Sequence, residues 1–204
     1  MNARFITFEG IDGAGKSTHI DWYATQLRER GLEVVVTREP GGTPLAEKLR
    51  ALLLSESMSI DAETLLMFAA RREHLEGLIR PALARGAWVV CDRFTDSTYA
   101  YQGGGRGVDP QNIAALERWI HGGFQPHRTY LFDLPSELAA SRRAAARAAD
   151  RFEAEDVEFF DRVRAAYLGR QQAAGGRMLT IDGRRSIPEI RNLLEEDIAS
   201  LCIE

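Results

Sequence analysis

Gly10-Ile11-Asp12-Gly13-Ala14-Gly15-Lys16-Ser17, followed by Thr18, spells Gly-x-x-x-x-Gly-Lys-Ser, a spacing suited to holding a nucleoside triphosphate. Glycines let consecutive backbone N–H groups curl around a phosphate, and the helix that opens behind them adds its positive dipole end. Lys16 can then reach the β- and γ-phosphoryl oxygens, and the Ser17 hydroxyl is placed to ligate Mg²⁺. The expected triphosphate-binding set is Gly10, Gly13, Ala14, Gly15, Lys16, Ser17 and Thr18.

Other groups carry charge where chemistry could use it. Asp12 sits inside the cradle, where a carboxylate repels phosphate unless it is paired. It either accepts from a substrate hydroxyl or an arginine, or faces solvent. Asp92-Arg93 closes an apolar run, a place for an acid that holds Mg²⁺ or its waters beside a phosphate-binding arginine; a structural ion pair is the alternative. Phe68 and Arg72 are four apart and share a helix face, so a ring could stack on a flat base while a guanidinium reads its edge. Phe68 could equally be core. Arg142, Arg143, Arg147 and Arg151 form a cationic cluster, either a solvated face or a source of charge. Transfer of a phosphoryl group between two anions needs cations on both sides, and the loop supplies only Lys16.

The elements that must position these groups alternate. Residues 5–9 read as a strand, and Ile20, Tyr23, Ala24 and Leu27 keep helical spacing up to Gly31. Residues 33–37 form a short apolar strand of the parallel-sheet kind. Pro44 starts a helix with Leu45, Leu49, Leu52 and Leu53. Asp61 is expected to cap a long helix through Leu65, Phe68, Leu75 and Ile79, with a kink or restart at Pro81. Residues 88–91 are a third strand. Residues 97–102 read as a helical turn and Gly103 to Gly107 as a loop. Asp109-Pro110 opens the next helix, and residues 129–134 form strand four. A helix after Pro135 runs into the arginine cluster, and another carries Phe159, Phe160, Val163 and Tyr167. Residues 178–181 form strand five, and Ser186-Ile187-Pro188-Glu189 is a capping box for the last helix. The pattern is α/β: a parallel sheet wrapped by helices, with ligands at the carboxyl ends of the strands.

Bulk properties narrow the classes. A chain of 204 residues is expected to be one domain that buries a core without disulfides or structural metal. Its formal net charge of −4 argues against general nucleic-acid or membrane-surface binding. Cys91 and Cys202 lack metal-ligand spacing and read as reduced thiols. No apolar run spans a bilayer, and a cytoplasmic location is expected. Lys16 and Lys48 are the only lysines, and neither sits in an Asn-Lys-x-Asp segment, which counts against a guanine-specific switch.

Taken together, residues 10–18, Thr37-Arg38-Glu39-Pro40-Gly41-Gly42-Thr43, residues 68–72, Asp92-Arg93-Phe94, residues 97–107 and Asp150-Arg151-Phe152-Glu153 resemble the signature blocks of bacterial thymidylate kinases, in order and over nearly the whole chain. The resemblance implies a P-loop nucleoside monophosphate kinase fold with a five-stranded parallel sheet and a mobile lid at about residues 141–153. It also implies ATP-dependent phosphorylation of dTMP to dTDP with Mg²⁺, and a homodimer. By resemblance, Asp12 approaches the 3′-hydroxyl, Phe68 stacks on thymine and Arg72 contacts the base edge. Arg38 and Arg93 hold the acceptor phosphate, and Thr98, Tyr101 and Gln102 line the nucleoside pocket. Ser17 and Asp92 serve the metal. The family places its catalytic arginine either in the phosphate loop, where this chain has Gly13, or in the lid. This chain resembles the second layout, with Arg142 and Arg147 as the favoured catalytic candidates and Arg143 beside the ATP. Adenine is expected near Asp182-Gly183-Arg184-Arg185.

Overall fold

The computed structural model describes residues 2–144 and 155–203. Among these, five strands form one sheet: β1 (Phe5–Glu9), β2 (Val34–Arg38), β3 (Trp88–Asp92), β4 (Arg128–Asp133) and β5 (Met178–Asp182). Their order is β2-β3-β1-β4-β5, and every pairing is parallel. The crossovers put β2 and β3 on one side of β1 and β4 and β5 on the other. Loops leaving the carboxyl ends of the central strands therefore diverge and open a crevice. Register finishes the placement: Phe8 lies beside Asp92 and Glu9 beside Leu131, so the phosphate loop emerges next to Asp92-Arg93.

Side-chain alternation feeds two cores. Ile6, Phe8, Trp88 and Val90 join Tyr23 and Leu27 of α1 (Lys16–Glu29), Phe160 and Val163 of α8 (Val157–Ala173), and Leu194 and Ile198 of α9 (Ile187–Ile203). Phe5, Val89 and Cys91 point to the opposite face, against Phe68 of α3 (Ile60–His74) and Ile113 of α6 (Pro110–His121). Each large side chain so enclosed contributes roughly 1.5–3 kcal/mol. The remaining α-helices among the described residues are α2 (Pro44–Ser55), α4 (Arg80–Ala84), α5 (Thr95–Thr98) and α7 (Ser136–Ala144).

Several local signals operate as physical chemistry requires. Asp109 accepts from the Gln111 amide at 2.8 Å ahead of Pro110, and Glu189 accepts from the Ser186 amide at 2.9 Å in the capping box. Three expectations are corrected, and one exposed surface stands beside them. β2 is an edge strand, half-exposed along its length, rather than a buried one. Ser59, not Asp61, caps α3 through the Ala62 amide. Leu45, Leu52 and Leu65 are 48%, 46% and 55% exposed, so part of the apolar surface of α2 and α3 faces outward. Finally, Gly103 to Gly105 are not loop. They complete a π-helical segment, Tyr99–Gly105, packed on α8. A Cβ on Gly104 would lie 2.4 Å from the Ala166 Cβ, and one on Gly105 2.5 Å from the Phe159 ring. Glycine is required there for closeness, not for a turn.

Candidate active site

Three loop glycines take left-handed backbone, with φ of 129° at Gly10, 86° at Gly13 and 101° at Gly15. Gly10 is also forced by space, because a Cβ would sit 2.3 Å from the Phe132 carbonyl oxygen. Gly15 stands at the N-cap of α1 without a side chain to cap the first turn, which leaves those N–H groups to an anion. Lys16 is buried, and its ammonium donates to the carbonyls of Gly10 at 2.9 Å and Ile11 at 3.2 Å. Burial, then the charge of Arg93, lower its pKa; phosphate oxygens would reverse that pressure.

Arg93 adopts φ +68°, the single non-glycine residue with positive φ among the described residues. The surroundings hold that strained backbone in place. Its Nη2 donates to Asp12 Oδ1 at 2.7 Å and Tyr101 OH at 3.1 Å, and its Nη1 to Ser97 Oγ at 3.2 Å and Tyr167 OH at 3.1 Å. The guanidinium also lies 4.9 Å from the centre of the Tyr101 ring. Tyr101 completes a triangle by donating to Asp12 Oδ2 at 3.0 Å. Burial alone would push the Asp12 carboxyl up, but the charges of Arg93 and Lys16 outweigh it and hold the group well below the usual carboxylate range. Behind this cluster Glu9 accepts from the Phe94 amide at 2.7 Å, Ser97 Oγ at 2.6 Å and Tyr167 OH at 2.9 Å.

A cavity of about 220 Å³ joins the loop to the substrate side. Asp12, Ser17, Arg38, Asp92, Arg93, Thr98, Tyr101 and Gln102 all line it, as do Met67 and Arg71. Phe68 and Arg72 do not. Phe68 is packed in the core beneath Arg71, whose guanidinium lies 4.9 Å from the ring centre. Arg72 donates to the Ile120 carbonyl at 3.0 Å and pairs with Glu76. The cavity pair is Met67 and Arg71, also four apart, one position earlier on α3. One residue rotates a helix by about 100°, enough to exchange a core face for a site face. Arg71 is anchored by Glu39 at 2.7 Å, the Phe94 carbonyl at 3.3 Å and Thr98 Oγ1 at 3.0 Å. Its Nη1 is buried without a hydrogen-bond partner.

Arg38 pairs with Glu47 at 2.9 Å and remains half-exposed at the rim. Arg50, which the sequence reading passed over, also lines the cavity and donates to the Pro40 carbonyl. The residues would suit a magnesium ion: Asp92 and Ser17 line one cavity, and Asp92 Oδ1 is buried without a hydrogen-bond partner. Among the described residues no cluster of three or more His, Cys, Asp or Glu could hold a metal by itself.

The lid candidates separate. Arg142 donates to the Gly183 carbonyl at 3.1 Å, tying α7 to the segment after β5. Gly183 itself is close to the phosphate loop, since a Cβ there would lie 3.1 Å from the Ala14 oxygen. Arg184 pairs with Asp182 instead. Arg143 continues α7, while Arg147, Arg151 and the Asp150–Glu153 block lie outside the described residues.

A family model described as thymidylate kinase matches residues 8–194. The thymidylate kinase of Bordetella petrii is 61% identical over 98% of this chain and 96% of its own length. That of Ralstonia nicotianae is 58% identical over 98% of this chain and all of its own length. The crystal structure of thymidylate kinase from Ehrlichia chaffeensis superposes with a TM-score of 0.80 at 35% identity, covering 98% of this chain and 99% of that one. With its phosphate loop, arginine-lined cavity and five-stranded parallel sheet, the chain belongs to the thymidylate kinase family.

Proposed function

We propose that this enzyme transfers the γ-phosphoryl group of ATP to dTMP, giving dTDP, with the residue roles that follow. One observation carries the assignment of the cavity. Arg71 lines the same enclosure as the phosphate loop and carries a buried donor, Nη1, without a hydrogen-bond partner, which a carbonyl of a flat base would satisfy. Met67 is the apolar side chain beside the base, the place first assigned to Phe68. Asp12, kept ionised by Arg93 and Lys16, accepts from the deoxyribose 3′-hydroxyl. Arg93 and Arg38 neutralise the dTMP phosphate. A phosphate oxygen of dTMP attacks the γ-phosphorus and ADP leaves, with Lys16 following the charge onto the departing oxygens.

Ser17 and Asp92 are the side chains that would hold Mg²⁺, which when bound offsets charge on the β- and γ-phosphoryl oxygens. Charge on the transferring group is completed from the lid, about residues 141–153, by Arg142 or Arg147, with Arg143 beside the nucleotide. Single-domain organisation over residues 1–204, with the phosphate loop at 10–18, belongs to this reading. So does a homodimer, in which a second copy would cover the exposed leucines of α2 and α3, Leu45, Leu52 and Leu65, as one apolar patch. Sedimentation of a Leu52→Glu variant tests that patch. A cytoplasmic location fits the free thiols Cys91 and Cys202.

A coupled assay of ADP release across dTMP, dUMP, dCMP, dAMP and dGMP tests the whole reading. Turnover is expected with dTMP and near silence without an acceptor. ATP consumption that ignores dTMP would overturn it.

A further inference from the structure

Gln102 lines the cavity, and its side-chain NH₂ donates to Glu63 Oε1 at 2.9 Å. Both residues are almost fully buried. Arg106 approaches the same oxygen through Nε at 3.3 Å and holds Glu155 at 2.9 Å through Nη2. With Arg106 Nε also turned toward it, Glu63 Oε1 is an acceptor, so the Gln102 atom beside it is its nitrogen. The carboxamide oxygen is then turned away from Glu63, an acceptor left on a residue that lines the cavity. Arg71 lines the same cavity, and its Nη1 is a buried donor without a hydrogen-bond partner.

We propose that Glu63 is a positioning residue for base selection: it locks the Gln102 amide with its oxygen toward the ligand. The inference rests on reading this cavity as the dTMP base site. An acceptor beside a donor complements a pyrimidine that carries N3–H next to a 4-carbonyl, as thymine and uracil do. Cytosine offers the reverse, a bare N3 beside a 4-amino group, so acceptor meets acceptor and donor meets donor. An unanchored glutamine could rotate its amide and offer N–H to cytosine N3. Glu63 removes that option without touching the substrate.

The test is kcat/KM for dTMP, dUMP and dCMP in wild type and Glu63→Gln. A neutral amide at position 63 can donate to the Gln102 oxygen and stabilise the rotated form. The dTMP/dCMP ratio is expected to fall roughly tenfold or more, with KM for dTMP rising and kcat little changed. The dTMP/dUMP ratio is expected to stay within about twofold, because both bases carry N3–H. In a Gln102→Leu background, Glu63→Gln should leave the dTMP/dCMP ratio where Gln102→Leu alone puts it. If Glu63→Gln does not fold, Glu63→Met, which leaves Arg106 its Glu155 partner, is read by the same ratios. An unchanged dTMP/dCMP ratio in a folded variant overturns the role of Glu63. So does a parallel loss of both ratios, which marks general loosening. Wild type that fails to prefer dTMP over dCMP would instead overturn the base-site reading itself.

Discussion

The guanidinium of Arg71 meets the carboxylate of Glu39 at 2.7 Å, with the two side chains only 3% and 4% exposed. The second carboxylate oxygen of Glu39 lies 3.0 Å from His74 Nδ1, and His74 Nε2 lies 2.7 Å from Thr37 Oγ1. Burial alone would raise the Glu39 pKa, but Arg71 and His74 reverse the shift and lower it. Glu39→Gln keeps the shape and removes the charge. It is expected to cost about 1–3 kcal/mol of stability and to raise KM for dTMP several-fold, with kcat nearly retained. Urea denaturation and initial rates check this, and an unmoved KM would show that the pair does not orient Arg71 for the substrate.

Lys16→Ala is expected to cut turnover by several orders of magnitude, about 4 kcal/mol or more of transition-state stabilisation. The dTMP pocket is built from other segments, so calorimetric binding of dTMP should survive. A variant with near-normal kcat would remove this loop from the chemistry.

The lid arginines should divide under alanine substitution. Arg142 and Arg147 are the candidates for roughly 10²-fold or larger losses in kcat with little change in KM, the signature of a contact formed only in the transition state. Arg143→Ala should stay near wild type. The Arg142 bond to Gly183 sharpens the choice. If Arg142 mainly anchors α7 to the nucleotide side, its loss appears in KM for ATP and Arg147 carries the kcat effect. Wild-type kcat in the triple variant would transfer the role to Arg93.

Glu9 links pH to stability. Burial, then the charge of Asp96, push its carboxyl up to about 7, against the hydrogen bond from Ser97 and the charge of Arg93. The folded protein therefore holds a proton that the unfolded chain, near the ordinary 4.5, has released. The favourable contribution is complete below the unfolded value and is lost as pH rises through about 7. Glu9→Gln cannot titrate, so the Tm difference between wild type and variant should shift against wild type from about pH 5 to about pH 8. A constant difference across that range would contradict the buried-acid assignment.

Much of the frame was legible from local chemistry. The strand–loop–helix of residues 5–29, Asp109-Pro110 and the Ser186–Glu189 box each rest on a residue type with one physical use. The misses share a cause: they depend on what packs against an element. Phe68/Arg72 and Met67/Arg71 have the same spacing, and only the sheet decides which pair is core. Gly103 to Gly105 look like a flexible run until α8 is laid across them. The apolar run of β2 does not reveal that it lies at an edge. Glu9 and Glu63 were missed as well, although an acid closing a largely apolar strand and an acid in the first turns of a site helix were both visible.

Gly104 and Ala166 have a consequence for how such chains diverge. With 2.4 Å between a hypothetical Cβ on one and the existing Cβ of the other, the two positions share a single methyl group's worth of room. A lineage cannot enlarge one without first shrinking the other. Gly104→Ala should thus behave as a lesion that Ala166→Gly suppresses, while Ala166→Gly alone is silent or mildly weakening. The Arg162 carbonyl, 3.0 Å from the same point, keeps the rescue incomplete. Gly104 shares its π-helical segment with the cavity residues Tyr101 and Gln102, so the expected genetic signature is a substrate defect caused by a size conflict at a helix contact.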